Sequence, residues 1–332
     1  MDVDLSTGSA SGSFLNCVFW SAAIFGLLYF VRRFIKGAQF SERISAEGKV
    51  AVVTGGNSGI GFETVRELNI RKAKVYMLCR SEERADEAKR NLVRLGCNPT
   101  RLIFIQCDLA NFSSVRSAAE KLLKSEPKID ILINNAGIMF QSKYEKTVDG
   151  HEMTWQSNHL GPFLLTNLLL PALKNADRAR IVNVSSMLHK NSKRLDFATI
   201  DDKKSYGLFG PYNRSKLANV MHARALTNVL RKEGTHNVSA NSVHPGVVDT
   251  GLARKTWLLA TPLREIFWPF RWFFLKTNKD GAQTSLYVAL SKKLEGVSGK
   301  YFSDCQLREE SELARDDQAC EDLYNYSLEQ TR

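Results

Sequence analysis

Tyr212 and Lys216 are the side chains of this sequence whose types and spacing suit acid–base chemistry. They lie four residues apart in the stretch GPYNRSKLANV, whose pattern predicts a helix with both side chains on one face. A free phenol titrates at about pH 10, so proton transfer near neutrality needs a shift worth about 3–4 kcal/mol. One ammonium at about 4 Å supplies on the order of 4 kcal/mol at an effective dielectric of about 20. The pair therefore predicts a proton-transferring tyrosine, although tyrosine and lysine also share the faces of ordinary surface helices.

A glycine-rich loop, TGGNSGIG, lies between a predicted strand and a predicted helix. Its glycines let the backbone turn sharply and approach a pyrophosphate, while a helix N-terminus offers free N–H groups. Glycine also serves ordinary turns. The strand before the loop and the helix after it, however, predict a dinucleotide site at the carboxyl ends of the strands. The loop residues of this predicted site are Gly55, Asn57, Ser58, Gly59, Ile60 and Gly61.

Arg80 follows the second predicted strand, in the stretch YMLCRSEER. An acidic residue at this place binds the ribose 2′-hydroxyl of NAD, whereas an arginine accommodates the 2′-phosphate of NADP. Arg80 therefore favours NADP(H) as the cofactor. The alternative is a solvated residue at the start of a helix, and Glu82 and Glu83 weaken the local positive field.

Apolar stretches of strand length alternate with helical patterns from residue 49 onward. Nearly continuous apolar strands are typical of parallel strands that are covered on both faces. The alternation predicts an α/β fold with a Rossmann-type, doubly wound parallel sheet of about seven strands, in one domain of residues 49–332. The predicted strands are Val50–Thr54, Lys74–Arg80, Leu102–Gln106, Ile129–Asn134, Arg180–Ser185, Val238–Val243 and Gly299–Phe302. The predicted helices are Phe62–Arg71, Glu82–Leu95, Phe112–Ser125, His151–Leu173, Pro211–Lys232 and Asp280–Leu290.

The N-terminal region contains an uncharged apolar stretch, Phe14–Val31, which Arg32, Arg33 and Lys36 follow at once. At about 1.5 Å per residue this stretch spans roughly 27 Å, close to a bilayer core. A cleaved signal peptide would carry its basic residues before the apolar stretch; a buried core helix is the other alternative. Basic residues on the C-terminal side place the rest of the chain in the cytosol. The sequence thus predicts a tail at 1–13, a single-pass membrane anchor at 14–35, a polar linker at 36–48 and a cytosolic catalytic domain.

The formal charge of +11 and the pI near 9.3 admit anionic partners. The basic residues are spread along the chain, however, with no recognisable nucleic-acid module and no zinc-ligand spacing. We therefore expect neither a nucleic-acid partner nor a metal. The six cysteines form no CxxC pair, which indicates a reducing compartment.

Seven short motifs occur in the order and spacing of one family. They are TGGNSGIG (54–61), CDLA (107–110), NNAG (134–137), NHLG (158–161), VNVSS (182–186), YNRSK (212–216) and HPGVVDT (244–250). On these motifs, residues 49–305 resemble the short-chain dehydrogenases/reductases. The anchor and the stretches YMLCRS and SKLANV make the chain similar to the microsomal retinol dehydrogenase subgroup, which uses NADP and acts on retinoids and other lipid aldehydes. The resemblance also implies the endoplasmic reticulum as the membrane.

The resemblance implies roles for individual positions. Ser186 would hydrogen-bond the substrate carbonyl, and Asn158, tied through water to Lys216, would complete a catalytic tetrad with Tyr212. Hydride would pass from nicotinamide C4 to the carbonyl carbon while Tyr212 donates a proton and Ser186 stabilises the developing charge. The implied cofactor contacts beyond the glycine loop are Asp108, Leu109, Asn135, Ala136, Gly137, Tyr212, Lys216, Pro245, Gly246, Val248 and Thr250. Two positions depart from the subgroup, with Phe62 in place of a lysine and Gly56 in place of the commoner alanine.

The stretch Thr256–Leu275 is rich in aromatic residues and contains Pro262, Pro269 and three charges, which exclude a comfortable bilayer span. The resemblance makes it the flap over the substrate. Aromatic residues mixed with arginines suit a membrane interface, so one prediction is a flap that receives a hydrophobic substrate from the bilayer. A packing surface or homodimer surface is the other. Residues 307–332 are predicted to form a C-terminal packing helix.

The sequence leaves three functional hypotheses open. A retinoid or related lipid carbonyl follows from the resemblance. A steroid or other lipid carbonyl would use the same chemistry in a pocket of different shape. The third is a non-catalytic dinucleotide-binding membrane protein, and the intact set of Asn158, Ser186, Tyr212 and Lys216 argues against it.

Overall fold

One sheet of eight strands organises the protein. A computed structural model describes residues 8–249 and 273–332. The strands are β1 (Val50–Thr54), β2 (Lys74–Cys79), β3 (Leu102–Gln106), β4 (Ile131–Asn134), β5 (Ala179–Val184), β6 (Val238–His244), β7 (Tyr301–Ser303) and β8 (Gln306–Arg308). Their order is β3-β2-β1-β4-β5-β6-β7-β8, and all pairs are parallel except β7 with β8. The predicted doubly wound parallel sheet is confirmed.

The central strands are buried on both faces, which explains their continuous apolar sequence. Every residue of β1 is buried, and Ala51 pairs with Val75 on one side and with Ile131 on the other. Parallel strands in the middle of a sheet have helices above and below them, so alternation of polar and apolar residues is not needed. The strand order reverses between β1 and β4, and a crevice forms at such a switch point.

Helices cover both faces of this sheet. The α-helices in the described residues are α1 (Gly8–Lys36), α2 (Gly59–Ile70), α3 (Glu82–Arg94), α4 (Phe112–Ser125), α5 (Met153–Trp155), α6 (Gly161–Lys174), α7 (Gly210–Lys232), α8 (Asn278–Leu290), α9 (Glu312–Arg315) and α10 (Asp317–Gln330). Helix α1 is not among those that cover the sheet, since none of its segment Asn16–Lys36 is buried. One hydrophobic cluster, which includes Phe163 and Leu323, packs α4, α6, α7 and α10 on the sheet. A second, which includes Leu68 and Leu286, packs α2, α3 and α8 on the opposite face.

The helix predicted at His151–Leu173 is interrupted. A π-helical turn at Gln156–Leu160 separates α5 from α6. Helix α6 has Pro162 in its first turn. Single π-turns inside α-helices are frequent at functional sites. This one carries Asn158, which is fully buried.

The C-terminal helix predicted at 307–332 is wrong at its start. Strand β8 occupies Gln306–Arg308 and pairs with β7, so that Ser303 lies opposite Gln306. The two-residue turn between them is Asp304–Cys305, with φ of 51° and 53°. Two positive φ values are typical of a type I′ hairpin, whose usual sequence signal is Asn-Gly. Asp-Cys gives no such signal, which is why the hairpin was missed.

The N-terminal helix α1 extends over Gly8–Lys36, beginning before the predicted start at residue 14. Its segment Asn16–Lys36 has a mean hydropathy of 1.5, none of it is buried in the protein, and no other helix in the described ranges is long and apolar enough to cross a membrane. At its C-terminal end, Arg32 donates a hydrogen bond to the Leu275 carbonyl at 3.1 Å. Arg32 also lies 3.8 Å from the buried carboxylate of Asp280. The end of α1 is therefore bonded to the segment just before α8 and to α8 itself.

Residues 37–46, within the predicted polar linker, are packed against the domain, and we call them the docking segment. Phe40 is 9% exposed and lies between the ring of Tyr287 and the guanidinium of Arg71, whose carbon is 5.1 Å from the Phe40 ring centre. The Phe40 N–H donates to Gln283 at 3.0 Å, and Ala46 is fully buried. The segment looks polar in sequence because Phe40 and Ile44 are its only large apolar residues.

Candidate active site

A cleft of about 680 Å³ lies at the carboxyl ends of the central strands, the edge at which open α/β sheets bind ligands. The predicted site residues that line it are Gly55, Asn57, Ser58, Gly59, Ile60, Gly61, Arg80, Asp108, Leu109, Asn135, Ala136, Gly137, Tyr212, Lys216 and Pro245. Asn158, Ser186, Gly246 and Val248 lie outside this lining. Thr250 and most of the predicted flap, residues 256–272, lie outside the described residues.

The backbone of the glycine loop leaves no room for side chains at its glycine positions. Gly55 and Gly59 have φ of 66° and 58°, a region that residues with a Cβ rarely adopt. A Cβ added at Gly61 would lie 2.3 Å from the Gly55 carbonyl oxygen. The loop therefore presents bare backbone to the cleft, as a phosphate-binding loop requires.

Helix α2 starts at this loop with free backbone donors. Its N-cap is Ser58, and in the described structure the Ser58 side chain makes no cap hydrogen bond. The caps of the next two helices do make one, Ser81 for α3 and Asn111 for α4. The first N–H groups of a helix need acceptors, so the start of α2 is suited to an anion from outside the chain.

Thr54, which the sequence analysis did not single out, holds the NNAG stretch against the glycine loop. Its Oγ1 accepts the backbone N–H groups of Asn135 and Ala136, each at 2.9 Å. The Asn135 side-chain amide donates in return to the Thr54 carbonyl, also at 2.9 Å. Because these bonds join the ends of β1 and β4, they fix the width of the cleft at the switch point.

The end of β2 contributes a polar edge to the cleft. Arg80 is exposed there, and Ser81, Glu83 and Arg84 line the same cavity. Ser81 is the cap of α3, accepting the Arg84 backbone N–H, so the alternative of Arg80 as a residue at a helix start also holds. The second arginine was not predicted; its position one turn after Arg80 was the available signal.

Tyr212 and Lys216 occupy the first turns of α7, with 8% and 4% of their surface exposed. The Lys216 Nζ is 5.5 Å from the centre of the Tyr212 ring and donates to the Val184 carbonyl at 3.0 Å. Burial raises the pKa of Tyr212 to about 12, and a hydrogen bond with Ser186 opposes that rise. Burial lowers the pKa of Lys216 to about 8.

These directions differ from the sequence argument, in which the ammonium lowers the phenol pKa. Desolvation disfavours the charged form of each group, and burial is the largest cause of both shifts. The protein alone thus keeps a neutral phenol beside a lysine that is mostly charged at pH 7.

Ser186 follows β5 and meets Tyr212. It caps the short 3-10 helix Met187–Asn191, and its Oγ accepts the Leu188 N–H at 3.2 Å. The same side chain acts on Tyr212, whose pKa it lowers against the larger effect of burial. A serine that caps this short helix can therefore also act on the phenol.

Asn158 is held rigidly by both ends of its amide. Its Oδ1 accepts the Ile138 N–H at 2.8 Å, while its Nδ2 donates to the Ile138 carbonyl at 2.9 Å and to Ser215 Oγ at 3.0 Å. A Cβ added at Gly137 would lie 3.3 Å from both Asn158 Oδ1 and Lys216 Nζ. The asparagine and the lysine therefore meet at Gly137.

The segment after β6 is fastened to Lys276. The Lys276 N–H donates to the Val247 carbonyl at 2.9 Å, and the Asp249 N–H donates to the Lys276 carbonyl at 3.0 Å. The Lys276 side chain passes beside Gly246, whose φ is 90°, and its ammonium pairs with Asp304. Of the predicted residues of this segment that the structure describes, Pro245 lines the cleft, whereas Gly246 and Val248 do not.

Apolar side chains adjoin Tyr212 on connecting segments. The Phe140 ring lies 5.0 Å from Phe209 and 6.2 Å from Tyr212, centre to centre. Phe140 has a φ of 54°, a strained value of the kind that clusters at functional sites. Phe209 is 54% exposed, as is Met187, directly after Ser186. The phenol therefore borders an apolar surface open to solvent.

Comparison with known proteins bears on this arrangement. A family model for short chain dehydrogenases matches residues 49–258. Retinol dehydrogenase 14 of Mus musculus is 41% identical over 323 residues, 92% of this chain and 94% of that protein. Retinol dehydrogenase 12 of Homo sapiens is 42% identical over 311 residues, 92% of this chain and 95% of that protein.

Solved structures share the fold. A crystal structure of an uncharacterised protein from Mycobacterium paratuberculosis has a TM-score of 0.70 and 29% identity, covering 89% of this chain and 97% of that chain. A short chain dehydrogenase from Escherichia coli CFT073, complexed with NADPH, has a TM-score of 0.61 and 20% identity, covering 80% of this chain and 99% of its own. The second likeness is one of fold alone.

Proposed function

Because the chain belongs to the short-chain dehydrogenase family, and within it to the retinol dehydrogenase subgroup, we propose that it interconverts a lipophilic alcohol and its aldehyde or ketone. NADP(H) is the proposed cofactor, and Tyr212 the acid and base. The observation that carries the proposal is the buried Tyr212–Lys216 pair, with Ser186 on the phenol, in the cleft that the glycine loop begins.

The cleft fits a phosphorylated dinucleotide. The glycine loop and the start of α2 would hold the pyrophosphate, and Asp108 and Leu109 would border the adenine. Arg80 and Arg84 would face the 2′-phosphate, with Ser81 as a further donor and Glu83 as an opposing charge. When bound, the nicotinamide supplies or accepts the hydride.

Tyr212 is the proposed proton donor in reduction. With a pKa of about 12 it is protonated at neutral pH, the state that an acid needs. Lys216, with a pKa of about 8, is mostly charged at pH 7 and would stabilise the phenolate left after donation. The Ser186 hydroxyl would hydrogen-bond the substrate oxygen. Oxidation would need the phenol deprotonated first, with Tyr212 then acting as the base.

The proposed substrate is a retinoid or related lipid carbonyl. Phe140 lies beside the Tyr212 ring and packs on Phe209, and Met187 directly follows Ser186. Phe209 and Met187 are exposed, and burying such surface favours an apolar partner. The relatives are named for retinol. A membrane to which α1 anchors the protein would supply such a substrate, and the α1 segment Asn16–Lys36 is long and apolar enough to cross one. We propose the endoplasmic reticulum as that membrane and a cytosolic catalytic domain.

The test is NADPH consumption by the detergent-solubilised full-length protein with all-trans-retinal, beside Tyr212→Phe. We expect turnover in the wild type and a fall of at least about 1,000-fold in the variant, since the acid is removed while the ring remains. Unchanged turnover in Tyr212→Phe would refute the mechanism. If steroid or fatty carbonyls are turned over in a Tyr212-dependent way and retinal is not, the mechanism stands and the proposed substrate is wrong. NADPH binding without any turnover would favour the non-catalytic alternative.

A further inference from the structure

His189 links the proposed catalytic serine to the C-terminal region. It is fully buried, three residues after Ser186. Its Nδ1 lies 2.7 Å from the Ser186 carbonyl oxygen, and its backbone N–H donates to the same oxygen at 3.1 Å. Its Nε2 lies 3.2 Å from the backbone nitrogen of Ser311, the cap of α9. Both ring nitrogens are thus engaged, each by a different part of the chain.

The two partners determine which nitrogen of His189 carries the proton. A backbone N–H can only donate, so Nε2 accepts from Ser311. A carbonyl can only accept, so Nδ1 donates to Ser186. Both bonds need the neutral ring, and burial lowers the pKa of His189 in agreement with that state. The ring also packs on Tyr301 at 4.7 Å between centres, which restricts its rotation.

We infer that His189 is a positioning residue for Ser186. The His189 Nδ1–H fixes the main chain of Ser186, so that the Ser186 Oγ faces Tyr212 and the oxygen of the bound substrate. The inference rests on the proposed function. Two N–H groups of one residue hold the Ser186 carbonyl, and the Leu188 N–H holds Oγ. Three hydrogen bonds therefore restrict the main chain and the side chain of Ser186. Misplacement of a reacting group by about 1 Å costs on the order of 100-fold in rate, so even partial release of this peptide should be measurable.

Two isosteric replacements separate this role from a structural one. In His189→Asn, the amide nitrogen takes the place of Nδ1 and keeps the donor to Ser186, while the bond from Ser311 is lost. In His189→Gln, the amide oxygen takes the place of Nε2 and keeps the bond from Ser311, while the donor to Ser186 is lost. Each variant removes one hydrogen bond, so the two should lose similar stability. They should differ in activity only if the bond to Ser186 matters for the reaction.

The experiment measures kcat and KM of both variants in the full-length protein, with a carbonyl that the wild type reduces in a Tyr212-dependent way. Melting temperature and the NADPH Kd are measured beside them. We expect His189→Gln to lower kcat about tenfold, equivalent to about 1.4 kcal/mol, with KM within about twofold. We expect His189→Asn to keep kcat within about threefold. The NADPH Kd should stay at the wild-type value in both, because His189 is not in the lining of the cleft.

Parallel losses of kcat in the two variants, in step with their melting temperatures, would overturn the inference and leave a structural histidine. A wild-type kcat in His189→Gln would also overturn it. If His189→Gln does not fold, the inference is tested with His189→Asn alone. A folded His189→Asn that keeps the donor to Ser186 and still has a tenfold lower kcat would contradict the inference. Failure of the proposed function would instead be seen in the wild type and Tyr212→Phe, independently of both variants.

Discussion

The two sides of the cleft are built by different means. The cofactor side consists of strand ends and tight loops that main-chain contacts hold, as between Gly55 and Gly61 or between Thr54 and Asn135. The substrate side consists of half-exposed apolar side chains on connecting segments, such as Met187 and Phe209. The first side cannot change without moving the sheet. The second can change residue by residue, so we expect substrate choice to be encoded there.

We expect a substitution in the glycine loop to have the largest effect on cofactor binding. In Gly61→Ala the new Cβ would meet the Gly55 carbonyl oxygen at 2.3 Å, and a backbone atom cannot give way cheaply. We expect the NADPH Kd to rise about 1,000-fold, or about 4 kcal/mol, by fluorescence titration. Gly207→Ala is the control, since nothing lies within 4 Å of its added Cβ. Tight NADPH binding by Gly61→Ala would contradict the rigid cofactor side.

The buried Lys216 should lower the stability of the folded protein at neutral pH. Burial lowers its pKa from 10.5 to about 8, so the folded protein binds this proton less tightly than the unfolded chain. The cost is complete below pH 8 and disappears as the pH rises toward about 10.5. We expect Lys216→Met to raise the free energy of unfolding by about 2 kcal/mol at pH 7, with the lost hydrogen bond to Val184 offsetting part of the gain.

The measurement for Lys216→Met is denaturant unfolding at pH 7 and pH 10, where the gain should be present and then largely absent. Lys121→Met, an exposed lysine on α4, is the control and should change little at either pH. A variant less stable than the wild type at pH 7 would mean that Lys216 stabilises the fold, against the direction of its pKa.

Arg80 should set cofactor choice at the polar edge. We expect Arg80→Ala to weaken NADPH about tenfold and NADH by less than about twofold, because one charge-assisted bond to the 2′-phosphate is lost. Arg94→Ala, exposed at the far end of α3, should change neither Kd. A wild type that binds NADH as tightly as NADPH would remove the basis of the NADP(H) proposal.

The substrate side should give the smallest and most selective effect. Phe209→Ser removes an exposed ring beside Phe140, and we expect the KM for all-trans-retinal to rise about threefold, from lost apolar contact. The KM for a short, water-soluble aldehyde should not change. Leu95→Ser, 52% exposed at the end of α3, is the control. Equal changes for both aldehydes would mean that Phe209 acts on the fold rather than on the substrate.

The sequence predicted those parts that local chemistry dictates. Strands β1 and β3 and helix α4 have their predicted bounds, because continuous apolar stretches and side-chain caps such as Asn111 are local signals. The glycine loop and the Tyr212–Lys216 spacing were equally local. These elements position most of the predicted cleft residues.

The remainder depends on partners distant in sequence. The burial of Phe40 needs Arg71 and Tyr287, and strand β8 needs β7 and a turn without glycine. The pKa directions of Tyr212 and Lys216 follow from how completely each is desolvated, which spacing does not reveal. Thr54 was missed for the same reason, since its hydrogen bonds cross from β1 to the end of β4.

The docking segment determines where the chain can be trimmed. A soluble form that begins at residue 37 loses the apolar helix but keeps Phe40 on Arg71 and Tyr287. A form that begins at residue 49 strips that cover away and leaves the Arg71 guanidinium without the carbonyls of Glu42 and Ile44 that it now bonds. The later start removes only this further stretch, which looks polar in sequence, and should give the less soluble protein, since it uncovers a surface that the full chain keeps from water.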